Sequence, residues 1–170
     1  MRSKSILLLG SIALDTIKTR YGKESNLIGG SATYAALSSR LFRKVDLVGI
    51  IGDDFPSEGV KILKSSCNSI KDLTIKRGKT FRWGGEYREN GDDRETLFTD
   101  LGVFENFSPK LSPHNLDPGI VFLANIHPEL QLSILNQCKS NPFVVTDTMN
   151  LWIETAKNSL GEVLKLTDLL

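Results

Sequence analysis

Short unbroken apolar runs recur along the chain, separated by stretches with helical spacing. Ile6–Leu9, between a charged residue and a glycine, has the pattern of a parallel strand buried on both faces. Val45–Ile51 repeats that pattern, and Ile120–Ala124 and Phe143–Val145 supply two further strands. Between them, residues 31–42 carry Ala35, Ala36, Leu37 and Leu41 at helical spacing, with Ser31 as the expected N-cap. Asp54 is expected to cap a helix that Pro56 helps to start and that runs to about Ser65. A helix around Glu129–Cys138 and another over Trp152–Leu164 complete the series. Strands alternating with helices predict an α/β layered sandwich with a largely parallel sheet.

Residues 79–104 break the alternation. Phe81, Trp83 and Tyr87 fall on odd positions, with Arg82, Glu86 and Arg88 between them. Asn90-Gly91 is a strong hairpin signal because both residues tolerate positive φ, and Thr96–Phe98 would return antiparallel to the first arm. Such a hairpin has no natural place inside a parallel sheet. It is expected to belong to a flap, with residues 15–28 as its other strands.

Composition narrows the function classes. The chain has 170 residues, enough for one domain with a substantial core. A net charge of +1 gives no electrostatic case for nucleic acid or an anionic membrane, and Arg43-Lys44 and Lys76-Arg77 read as solvated surface. Cys67 and Cys138 are too few for a disulfide framework, and with His114 and His127 they complete no metal-ligand spacing. No apolar run approaches membrane-spanning length, and the expected location is cytoplasmic.

In open α/β sheets ligands bind beyond the carboxyl ends of the strands. Asp15 is placed there by the first strand, Asn125 and His127 by the strand at 120–124, and Asp147 and Asn150 by the strand at 143–145. A carboxylate such as Asp15 accepts two hydroxyl hydrogen bonds, which suits a polyhydroxylated ligand, although a turn or cap aspartate has the same setting. Gly29-Gly30 opens a helix at which a ligand could approach free backbone N–H groups, or simply forms a tight turn. His127 before Pro128 reads as a ligand contact or a structural loop residue, and Asp147 and Asn150 as ligand contacts or as shapers of the following helix start. Trp83 and Tyr87 could close over a ligand or fill a strand face. Gly78-Lys79-Thr80 imitates the end of a P-loop, but Leu73 stands where that motif needs glycine. No G-x-G-x-x-G follows the first strand, which disfavours a dinucleotide-dependent oxidoreductase.

Taken together, Gly10-Ser11-Ile12-Ala13-Leu14-Asp15, Gly29-Gly30 with its helix, Val48-Gly49-Ile50-Ile51-Gly52-Asp53-Asp54 and the flap resemble the N-terminal part of the ribokinase, or phosphofructokinase-B, family of carbohydrate and nucleoside kinases. Phe122–Glu129 and Asp147–Asn150 resemble a bacterial sugar-kinase subgroup within it. The resemblance implies a three-layer α/β/α domain over residues 1–170 with a β-sheet lid from about 13–28 and 79–104. It also implies transfer of the ATP γ-phosphoryl group to a hydroxymethyl group. By that likeness Asp15, Gly29, Gly30 and His127 contact the acceptor and a homodimer forms through the lid; Ser31, Tyr34 and Trp83 are expected acceptor contacts beside them, with Asn125, Asp147 and Asn150 as further candidates.

Two departures accompany the likeness. Ala13 and Tyr34 stand where the family usually has asparagine, which argues against ribose itself. Family members are also nearly twice as long, and their magnesium-organising and catalytic-aspartate motifs are expected beyond Leu170. On this reading the chain carries no catalytic residue, no metal ligand and no good site for ATP and Mg2+. It would act as the acceptor-binding portion of a kinase or as a non-catalytic sugar- or nucleoside-binding module.

Overall fold

The computed structural model describes residues 3–88 and 93–170. Five parallel strands form the main sheet: β1 (Ser3–Leu9), β4 (Val45–Gly52), β5 (Ser69–Lys76), β8 (Pro118–Leu123) and β9 (Phe143–Thr146), in the order β5-β4-β1-β8-β9. Alternation along β1 explains why it is apolar throughout. Leu8 packs with Leu47, Ile51, Ala32, Ala36 and Leu63 on one face, under α1 (Ser31–Ser39) and α2 (Ser57–Ser66). Leu7 and Leu9 pack with Val121, Leu123, Ile134 and Val163 on the other, under α3 (Pro128–Leu135) and α5 (Lys157–Lys165). A strand covered by helices on both sides has no solvent face to keep polar.

A second, four-stranded sheet stands apart, ordered β3-β2-β6-β7. Its strands are β2 (Ala13–Thr19), β3 (Gly22–Gly29), β6 (Arg82–Tyr87) and β7 (Arg94–Asp100). β2 runs antiparallel to β3 and parallel to β6, and β6 is antiparallel to β7, as the flap reading requires. The Asn90-Gly91 turn lies outside the described residues.

Gly52-Asp53-Asp54 fastens this lid to the main sheet. Thr80 donates to Asp54 Oδ1 from both its backbone N and its hydroxyl, each at 2.7 Å, while its Oγ1 accepts from Gly52 N at 3.0 Å. Arg82 then bridges Asp54 Oδ2 at 2.8 Å and Asn26 Oδ1 at 2.6 Å, tying β6 to β4 and β3. Contrary to the expectation from sequence, Asp54 does not cap α2. Pro56 occupies the N-cap and no side chain bonds there, because both Asp54 oxygens are committed to the lid.

Four other expectations change. α1 begins at Ser31 itself with Gly30 as N-cap, and it ends before Leu41, which is exposed. The helix expected over Trp152–Leu164 is two helices, α4 (Asn150–Thr155) and α5, broken at Ala156, whose φ of −132° is not helical. Asp147 caps nothing: Met149 holds the N-cap of α4 and makes no side-chain cap bond. Edge strand β5 was not foreseen, because Lys71, Asp72, Thr74 and Lys76 dilute its apolar positions.

Candidate functional site

Asp15 lies within β2 rather than in a loop after β1, so the lid and not the main sheet presents it. Its cross-strand partners are Leu27 on β3 and Trp83 on β6. The carboxylate rests directly on Gly29, where an added Cβ would collide with Asp15 Oδ2, and it accepts a hydrogen bond from the Gly30 N–H. Burial pushes Asp15 up to about 6, and the Gly30 N–H only partly offsets that. Gly30 has φ +94°, and a Cβ there would strike Ser11 O. The two glycines thus let a carboxylate and the β1–β2 turn lie flat on the start of α1.

The first N–H groups of α1 are not free for a ligand. Ser31 N donates to Ser11 Oγ at 3.1 Å, and Ala32 N donates to Ser11 O at 2.9 Å. The Ser31 hydroxyl donates onward to Asn125 O at 2.9 Å and accepts from Ser11 N at 3.2 Å. With its proton committed to Asn125, the Ser31 hydroxyl receives that of Ser11 at 3.1 Å. This exchange joins the β1–β2 turn, the start of α1 and the segment after β8.

Beyond β8 the network continues. Trp152 Nε1 on α4 donates to Asn125 Oδ1 at 2.7 Å. The His127 ring meets Trp152 edge-on, centroids 5.1 Å apart, and its Nδ1 accepts from Glu129 N at 3.3 Å as the N-cap of α3. Buried Gln131 fixes the backbone beneath, its Nε2 donating to Leu123 O, Ala124 O and Asp147 O at 3.2–3.4 Å.

No protein-family model matches the chain. A cytidine kinase of Thermococcus kodakarensis is 32% identical over 142 residues, which is 82% of this chain and 50% of that protein. The chain therefore spans about half the length of the curated relative it matches. The Methanocaldococcus jannaschii nucleoside kinase, an archaeal member of the ribokinase family, superposes with a TM-score of 0.74 at 20% identity, covering 98% of this chain and 59% of that one. Ribokinase from Cryptococcus neoformans in complex with ADP superposes with a TM-score of 0.65 at 19% identity, over 85% of this chain and 49% of that one. The chain has the ribokinase-family fold.

Within this ribokinase-family frame, the structure joins Asp15, Gly29, Gly30, Ser31, Asn125 and His127 through one continuous series of contacts. Ser11, Trp152 and Gln131 belong to it and were missed. A tryptophan on a short helix carries no motif, and serines next to glycine look like ordinary turn residues. Trp83 shares a register position with Asp15, but its ring lies over Gly85 with the Arg94 guanidinium 5.1 Å from its centroid. Tyr34 points outward on α1, 61% exposed. Asp147 takes part through its backbone, donating to Leu123 O at 2.8 Å, and Asn150 is exposed at the start of α4.

Other chemistries find little support. Burial pushes the Cys67 and Cys138 thiols up to about 11, far from a reactive thiolate. Among the described residues no group of three or more His, Cys, Asp or Glu is arranged to hold a metal ion. Two surface depressions exclude Asp15: one of about 350 Å³ includes His127, Glu129 and Glu154–Ser159, and one of about 470 Å³ lies along α2 beside Ile51 and Ile75. No helix among the described residues is long and apolar enough to cross a membrane.

Proposed function

We propose that this chain is the acceptor-binding portion of a nucleoside or sugar kinase that takes its phosphoryl group from ATP. The observation that carries the reading is the Asp15 carboxylate, held half-buried by the lid on two glycines that no other residue could replace without a collision. There it can accept hydroxyl hydrogen bonds from a ribose or another sugar, in the role the family gives the matching aspartate. Likeness to a cytidine kinase and to a nucleoside kinase favours a nucleoside as the molecule bound. Ser31, Asn125 and His127, joined to the Gly30 end of this arrangement through Asn125 O and Trp152, would shape its far side.

Phosphoryl transfer needs charge neutralisation around the γ-phosphate and a base for the attacking hydroxyl. No residue of this chain is assigned to either task, nor to magnesium. In the proposed division of labour this chain orients the acceptor, and ATP is brought by a part like the half of the cytidine kinase that the chain does not match. The lid would also pair two copies of the chain.

Transfer of labelled γ-phosphate to cytidine, other nucleosides and a panel of sugars tests the reading. It would be run with the 170-residue chain alone and with a chimaera carrying the complementary portion of the Thermococcus kodakarensis enzyme. Cytidine binding by calorimetry in both, with turnover only in the chimaera, is the expected result. Binding without turnover in either would favour a non-catalytic binding module, and no binding to any nucleoside or sugar would refute the assignment.

A further inference from the structure

Trp152 settles a question of polarity at this site. An indole nitrogen can only donate, so the Asn125 atom that it meets at 2.7 Å is the amide oxygen. The backbone carbonyl of Asn125 is also occupied, by the Ser31 hydroxyl at 2.9 Å. Asn125 Nδ2 has no hydrogen-bond partner among the described residues, and it is not among their buried unpartnered atoms. What this side chain still offers is therefore an N–H donor.

Trp152 is the one half-buried residue of six-residue α4, whose other side chains are exposed. The indole is held edge-on to a His127 ring that is itself fixed as the N-cap of α3.

We infer that Trp152 is a positioning residue that locks the Asn125 amide as a hydrogen-bond donor toward the bound acceptor. The site then pairs an acceptor-only carboxylate at Asp15 with a donor-only amide at Asn125. A matching molecule presents a hydroxyl proton to the first and an oxygen or nitrogen lone pair to the second. A nucleoside, with ribose hydroxyls at one end and a base carbonyl or ring nitrogen at the other, has that polarity. A molecule offering only donors at the second position is rejected, because burying two donors against each other leaves both unsatisfied. This inference rests on the acceptor-binding reading above.

Asn125→Asp keeps an oxygen for Trp152 and replaces the donor by a second carboxylate oxygen. Trp152→Phe keeps an aromatic ring against His127 but removes the N–H, freeing the amide to turn. Cytidine binding to the 170-residue chain, with thermal midpoints measured alongside, reads both. Asn125→Asp should weaken binding by at least about tenfold, and Trp152→Phe by about three- to tenfold with the midpoint almost unchanged. In the Asn125→Asp background, Trp152→Phe should cost no further affinity, since a carboxylate looks the same in either orientation. Cytidine binding by Trp152→Phe at wild-type strength, or additive losses in the double variant, would overturn the inference while leaving the proposed function standing. Failure of the wild-type chain to bind any nucleoside or sugar would overturn both.

Discussion

At the scale of single residues, Asp15 couples protonation to stability and, on the proposed reading, to binding. Burial raises its folded-state value from 3.8 to about 6, so between those values the carboxyl is ionised in the unfolded chain and still protonated in the folded one. The folded state then binds more protons, and stability must fall as pH rises through that window and level off above it. Thermal midpoints of the wild-type chain should show this decline, and Asp15→Asn should flatten it. Binding moves the other way. If the ionised form receives the acceptor hydroxyls, only about one tenth of the chain is competent at one pH unit below the folded value, so cytidine affinity should be about tenfold weaker there than at neutral pH. Affinity that is flat across this range, measured by calorimetry, would remove the carboxylate from the acceptor site.

At the scale of elements, the attachment of the lid turns on Asp54. Burial alone would raise its carboxyl, but hydrogen bonds from Thr80 and Arg82 outweigh that and hold it below its ordinary value. Those bonds join β4 to β6, and Arg82 carries the tie on to β3. Asp54→Ala leaves Thr80 and Arg82 without their charged partner and should cost about 2 kcal/mol in chemical denaturation. Because the folded-state value is depressed, this contribution is present above the unfolded value and is lost as pH falls through the folded one. Hydrogen exchange in β6 and β2 should rise more than in β1, since the lid is released and the main core is not. Uniform loss of protection would mean that Asp54 supports the whole fold instead.

The same element explains what the sequence could and could not reveal. β1 and β4 were legible because strands covered on both faces must be apolar along their length, and the lid strands because Trp83, Tyr87 and the flanking charges alternate. Asp53-Asp54 and Asp15 were visible as acids near strand ends, but no local pattern says which acid anchors the lid and which lies against the Gly29-Gly30 turn. That distinction depends on Thr80 and Gly29, each more than ten residues away in the chain. Edge strand β5 was hidden because exposure admits Lys71 and Lys76, and because buried Asp72 is satisfied by Ser112 and Asn115, some forty residues on. Trp152 was hidden because its partner Asn125 lies across the gap between two strands.

At the scale of the whole molecule, the lid is the part left incompletely covered. All seven residues of β7 are exposed, and Leu97 and Phe98, successive residues on opposite faces, are 44% and 42% exposed. Leu101 follows at 42%. An edge strand that carries apolar groups on both faces and has no covering element is a template for pairing with another chain. Joining two lids would cover these residues and place both Asp15 carboxylates, two strands away from β7 in the order β3-β2-β6-β7, within one continuous structure. Light scattering coupled to size exclusion should then report a dimer of 18.8 kDa chains at micromolar concentrations. Leu97→Asp should give a monomer with an unchanged thermal midpoint at low concentration, because the side chain contributes nothing to the core of its own chain. A wild-type chain that remains monomeric up to about 100 µM, well above the dissociation constant of an ordinary specific interface, would leave the lid with the proposed acceptor site as its one role.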